Sequence, residues 1–249
     1  MLSTYIFIIG TVIGSFLNVC IYRLPRGESI ATPPSHCPQC EKRLKPWDLI
    51  PIISFLIYRG HCRYCGYQIS YQYPLIEALT GFIYLLTYWE LGVTPEGVII
   101  MGFASALIVI GVIDFEKRIV PDSISLPGMI SGLILASIFS HISFLNSVIG
   151  LIVGGGLFLL IATLVKGGMG GGDIKLMAFI GSFLGWKGAL LTIFISSLMG
   201  SIIGIVLIII SDAGRKTAIP YGPFLALGAL ISALYGNELI SLYIQTLMG

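Results

Sequence analysis

Eight apolar runs constrain this chain more than any single motif does. They are Tyr5 to Tyr22, Pro74 to Leu91, Gly97 to Ile113, Ile124 to Ser140, Val148 to Val165, a short run from Ile174 to Leu184, Ala189 to Ser211, and Ile219 to Tyr235. A helix needs about 20 apolar residues to cross a hydrocarbon core, and hydrocarbon leaves the backbone no partner but itself, so such runs fold as helices. With 56% hydrophobic and 10% charged residues and a mean hydropathy of +0.95, the chain reads as an all-α polytopic membrane protein with about eight transmembrane helices and a lipid bilayer as its solvent. The first run has no basic segment before it and no small-residue cleavage site after it, and is expected to be a retained helix.

Alternate loops of such a chain share a face, and the basic face is cytoplasmic. Arg23, Arg26, Lys42, Arg43, Lys45, Arg59, Arg63, Lys117, Arg118, Lys166, Lys175, Arg215 and Lys216 fall on one side and Lys187 alone on the other. The N-terminus is therefore expected outside, in a multi-pass inner-membrane protein. The net charge of +2 expresses this orientation, and no nucleic-acid partner is expected.

Residues 23–73 form the one substantial hydrophilic segment and hold four of the five cysteines. Cys37-Pro-Gln-Cys40 and Cys62-Arg-Tyr-Cys65 are two C-x2-C knuckles separated by 21 residues, the pattern of a four-thiolate zinc site. A cytoplasmic loop is a poor place for structural disulfides, which favours the metal. His36 and His61 precede knuckle cysteines and read as bystanders. The apolar stretch Leu49 to Tyr58 is too short to span and is expected to dock the module on the membrane surface or the inner helix ends. In the first run, Asn18 needs a bonding partner inside the bundle, and Cys20 reads as a small buried hydrophobe.

Asp114 ends the third run, and Asp173 follows a stretch, Lys166-Gly-Gly-Met-Gly-Gly-Gly, with five glycines. Each acid alone reads as a helix cap. Two acids at the cytoplasmic ends of their helices read as chemistry, and the glycines leave room for an extended peptide beside Asp173. Asp122 reads as a cap of the next helix, Glu116 as a solvated charge, and His141 as an exposed turn residue. Neither a G-x-S-x-G elbow nor H-E-x-x-H occurs, so a hydrolase here must use its acids. A proton-coupled transporter that uses the same acids as a relay is the alternative, and a scaffold that holds a partner through the zinc module leaves the acids unexplained. Pro220-Tyr-Gly-Pro223 reads as an entry turn into the last helix.

Gly14-Ser-Phe-Leu-Asn-Val-Cys-Ile-Tyr-Arg-Leu-Pro25, the two knuckles, Tyr73-Pro-Leu-Ile-Glu77, Asp114 with Val120-Pro-Asp122, Gly170-Gly-Gly-Asp173-Ile-Lys-Leu and Pro220-Tyr-Gly-Pro-Phe follow one another in this order. In them the chain resembles the prepilin peptidases, membrane aspartic proteases of the G-x-G-D type. The resemblance implies leader cleavage of type IV prepilins or pseudopilins after a glycine, by Asp114 and Asp173, and N-methylation of the new N-terminus with S-adenosylmethionine. It leaves the methyl-donor site unassigned, with Gly60 and Glu77 as candidates. The expected organisation is a first transmembrane helix over 1–22, a cytoplasmic zinc-binding loop associated with methyl transfer over 23–73, and a transmembrane aspartic peptidase core over 74–249.

Overall fold

In a computed structural model, residues 1–139, 142–165, 169–210 and 220–248 are described. His141, Lys166, Gly167, Gly168, Ser211, Arg215, Lys216 and Ile219 lie outside these residues. Among the described residues there is no strand. The helices are α1 (Leu2–Arg23), the short α2 (Ile53–Ile57), α3 (Gln72–Leu91), α4 (Pro95–Lys117), α5 (Asp122–Phe139), α6 (Phe144–Leu164), α7 (Gly171–Ile210) and α8 (Gly222–Met248). The chain divides into two compact units, Met1–Val109 and Ile110–Gly249, with the division inside α4.

Six of these helices (α1 and α4 to α8) are long and apolar enough to cross a membrane. The expected eight crossings count α3 as well, which is 20 residues long but carries Glu77 and Glu90, and count α7 twice. Helix α7 has 40 residues. At about 1.5 Å per residue it is about 60 Å long if straight, twice the about 30 Å of a hydrocarbon core. It is not straight. Gly185 sits at φ 69° and ψ −178°, a conformation essentially closed to other residues, and splits the helix into two legs that match the sixth and seventh apolar runs. A Cβ at Gly185 would stand 2.7 Å from the Asn146 side chain, whose Oδ1 accepts the Trp186 N–H beyond the break.

In the first unit α1 and α3 cross backbone to backbone. A Cβ at Gly10 would meet Gly81 Cα at 2.7 Å, and one at Gly14 would meet Glu77 Cα at 2.7 Å. Small residues permit this approach, and dispersion holds helices together where lipid offers no hydrophobic drive. Asn18 is buried, and its amide donates to the Tyr73 carbonyl at 3.1 Å and the Gly14 carbonyl at 3.3 Å, the bonding the sequence demanded. Cys20 is buried and free, and Arg23 is buried with donations to the Ser29 and Pro33 carbonyls. In the second unit α6 and α7 repeat the device: a Cβ at Gly150 would fall 2.2 Å from the Gly181 carbonyl oxygen.

Candidate active site and metal centre

Each cysteine knuckle is a small hairpin closed on itself. In the first, the Cys37 N–H donates to the Lys42 carbonyl and the Glu41 N–H to the Cys37 carbonyl; in the second, Cys62 N–H donates to Tyr67 and Gly66 N–H to Cys62. The residue after the second cysteine turns left-handed in both, Glu41 at φ 54° and Gly66 at φ 72°. The hairpins face each other so that the four sulfurs lie within 4.8 Å of one another, with Cys37 Sγ and Cys65 Sγ 3.8 Å apart. Four sulfurs about 2.3 Å from a tetrahedral zinc stand about 3.8 Å apart, so the cluster has the dimensions of a metal centre. The Tyr67 amide favours a thiolate at Cys65, but burial and its three cysteine neighbours push it up to about 12. A dication reverses that balance.

Asp48 ties the turn before α2 to the second knuckle, accepting from the Lys45 N–H, Arg63 Nη1 at 3.0 Å and the Tyr64 hydroxyl. Burial opposes its charge, yet these donors outweigh it and hold Asp48 below the usual carboxylate range. The stretch expected to dock on the membrane leaves Ile53, Leu56 and Ile57 exposed.

The methyl-donor candidates both stand beside bent backbone. Gly60, buried at φ 72°, has the Phe55 ring 3.0 Å from where its Cβ would be and accepts the Ile69 N–H. Glu77 is buried, and its Oε2 accepts the Ile52 N–H at 2.7 Å while Ser15 supplies a second bond. Ile52 itself adopts φ 62° and ψ −50°, with the Ile53 N–H closing a three-residue turn onto the Pro51 carbonyl. A β-branched residue is strained there, and the buried Glu77 carboxylate holds it.

In the second unit, Asp114 lies in the last turn of α4 and Asp173 in the first turn of α7. Asp114 is buried and Asp173 half-buried, and the two carboxylates are near enough to repel each other. Asp114 Oδ2 accepts the Gly222 N–H at 2.9 Å, and the Asp173 N–H donates to Gly170. The glycines around Asp173 do different things: a Cβ at Gly172 would press to 2.9 Å on Val120, whereas Gly171 faces open space. Asp122, read as a cap, is the first residue of α5, and both its oxygens accept from Lys175 Nζ, at 2.7 and 2.9 Å.

A model described as the type IV leader peptidase family matches residues 101–205, which contain both aspartates, and one described as the bacterial peptidase A24 N-terminal domain matches residues 8–91, which contain the four cysteines, Gly60 and Glu77. A prepilin leader peptidase/N-methyltransferase of Bacillus subtilis (strain 168) is 35% identical over 98% of this chain and 98% of its own length. The chain belongs to the type IV leader peptidase family. Proteins of the same name from Pseudomonas putida and Stutzerimonas stutzeri are each 32% identical over 96% of this chain, covering 93% and 92% of their own lengths. No solved structure matches. For this type IV leader peptidase the sequence did not point to Gly222 as a partner of Asp114 or to Lys175 as a partner of Asp122. The glycine in Pro220-Tyr-Gly-Pro223 was the one available signal for the former.

Proposed function

We propose that this protein is a membrane aspartic endopeptidase that removes the leader of type IV prepilins or pseudopilins and N-methylates the residue so exposed. The pairing of Asp114 with Asp173 at two helix ends, beside the open backbone at Gly171, is the observation that carries the reading. Two neighbouring carboxylates can share one proton. The ionised one takes a proton from water as the oxygen attacks the scissile carbonyl, and the protonated one donates to the carbonyl oxygen. Collapse of the tetrahedral species breaks the C–N bond, and the departing amine takes up the proton that the base removed from water. The open space at Gly171 suits an extended peptide, which needs its backbone close to the acids. A proton relay is less well supported, since both acids stand at helix ends and not in the middle of a span.

The four-cysteine module is read as a closed structural zinc site on the cytoplasmic face, together with the aspartates, and the N-terminus as outside. The sulfur spacing and the thirteen-to-one split of basic residues support this. The module and its flanks over 23–73 are assigned to methyl transfer and 74–249 to peptide cleavage. S-adenosylmethionine supplies the methyl group, and this chain's part is to orient the new amine; Gly60 and Glu77 are the candidates near that site. Purified protein incubated with a prepilin should release the leader without S-adenosylmethionine and methylate the product only with it. An intact, folded preparation that leaves the prepilin uncut overturns the reading.

A further inference from the structure

The Pro220-Tyr-Gly-Pro223 turn touches the proposed site directly. A Cβ at Gly222 would fall 2.6 Å from Asp114 Oδ2 and 3.0 Å from Asp114 Cβ, so only a bare backbone fits and its N–H reaches the carboxylate. Tyr221 holds that backbone. Its hydroxyl lies 2.9 Å from Ser196 Oγ and 3.0 Å from Ser197 Oγ on the second leg of α7, and its ring stacks on buried Phe158 of α6 with centroids 6.2 Å apart. Ser196 Oγ also reaches the Ile193 carbonyl at 3.1 Å, and each of the three hydroxyls can donate or accept within the cluster. Pro220 and Pro223 restrict the backbone on either side.

We propose that Tyr221 is a positioning residue for peptide cleavage: hung on Ser196 and Ser197, it keeps the Gly222 N–H on Asp114 and so fixes the orientation of that carboxylate. The inference rests on the reading of Asp114 and Asp173 as the catalytic pair. A displacement of about 1 Å in a reacting group can cost about a hundredfold in rate, so the loss should appear in turnover more than in folding.

The test uses the full-length protein in detergent or nanodiscs with a prepilin substrate. Tyr221→Phe, which keeps the ring and its stacking, should lower kcat about tenfold while KM stays within about twofold, because the hydroxyl acts on Asp114 and not on the substrate. Ser196→Ala with Ser197→Ala removes the same bonds from the other side and should give the same loss, and the triple variant should be no slower than either, since one unit is being broken. The thermal midpoint should move by no more than a few degrees. A kcat within twofold of the parent in both variants, a loss that appears in KM, or a fall that tracks the thermal midpoint overturns the proposal. Asp114→Asn in the same assay separates the two readings: if it is inactive while Tyr221→Phe is normal, only the positioning role fails, and if it is active the catalytic pair fails with it.

Discussion

The cysteine cluster and the aspartate pair are assembled in opposite ways. The four sulfurs come from two hairpins, each closed by bonds between residues a few positions apart, and the sulfurs in contact are 28 residues apart in sequence. The pair joins the end of α4 to the start of α7 across two intervening helices, and its backbone donor, Gly222, lies 108 residues from Asp114. A locally built site can fail without the helices failing, because its geometry is held within one folded loop. A site built from helix ends depends on how four helices pack, but a nearly isosteric change at the reacting atoms leaves that packing alone. The two sites should therefore respond to substitution in different currencies, the first in metal binding and loop order, the second in turnover.

The largest effect should fall on the pair. Asp114→Asn or Asp173→Asn should each lower cleavage by about a thousandfold or more while helix content and thermal midpoint stay near those of the parent, because the amide keeps the shape but cannot ionise or pass a proton. A prepilin cleavage assay on the double variant should find it scarcely worse than either single one. Asparagine caps a helix about as well as aspartate, so an active variant would reduce that residue to a cap.

Next comes the metal. Cys37→Ser with Cys40→Ser should take zinc from about one per chain to near zero by elemental analysis and abolish methyl transfer, while cleavage persists at least in part. Loss of cleavage equal to that of the aspartate variants would erase the distinction between the two sites.

Smaller effects sharpen it. Glu41 occupies the left-handed position that Gly66 fills in the sister hairpin, at a cost of about 1 kcal/mol, so Glu41→Gly should tighten zinc about fivefold in a chelator competition. The smallest change is expected from Asp122→Asn. Its ion pair with Lys175 is exposed, and such pairs contribute about 0 to 1 kcal/mol, so cleavage should stay within a few-fold of the parent.

The helical content, the break between the sixth and seventh runs and the four-cysteine cluster were legible in the sequence, since each is a local pattern of composition or spacing. Gly185 punctuates those two runs in the chain as it does in the fold. Asn18 was legible too, as a polar group that lipid would not tolerate alone. Asp122 was half-legible: it begins its helix as expected, but its partner Lys175 lies on α7, and nothing in the spacing pairs the two.

Sequence alone determined that this chain is built of apolar helices with a four-cysteine loop and two acids at helix ends, because hydropathy and C-x2-C spacing act over one turn, one span or one hairpin. Tertiary structure decided what each acid touches. Only packing could put the start of α8 against the end of α4, so that a glycine from a turn read as a mere helix entry donates its N–H to Asp114, with the Tyr221 hydroxyl between two serines on α7 holding it there. Contacts of that kind depend on helix crossing and on side chains small enough to allow it, and no linear pattern encodes the pairing.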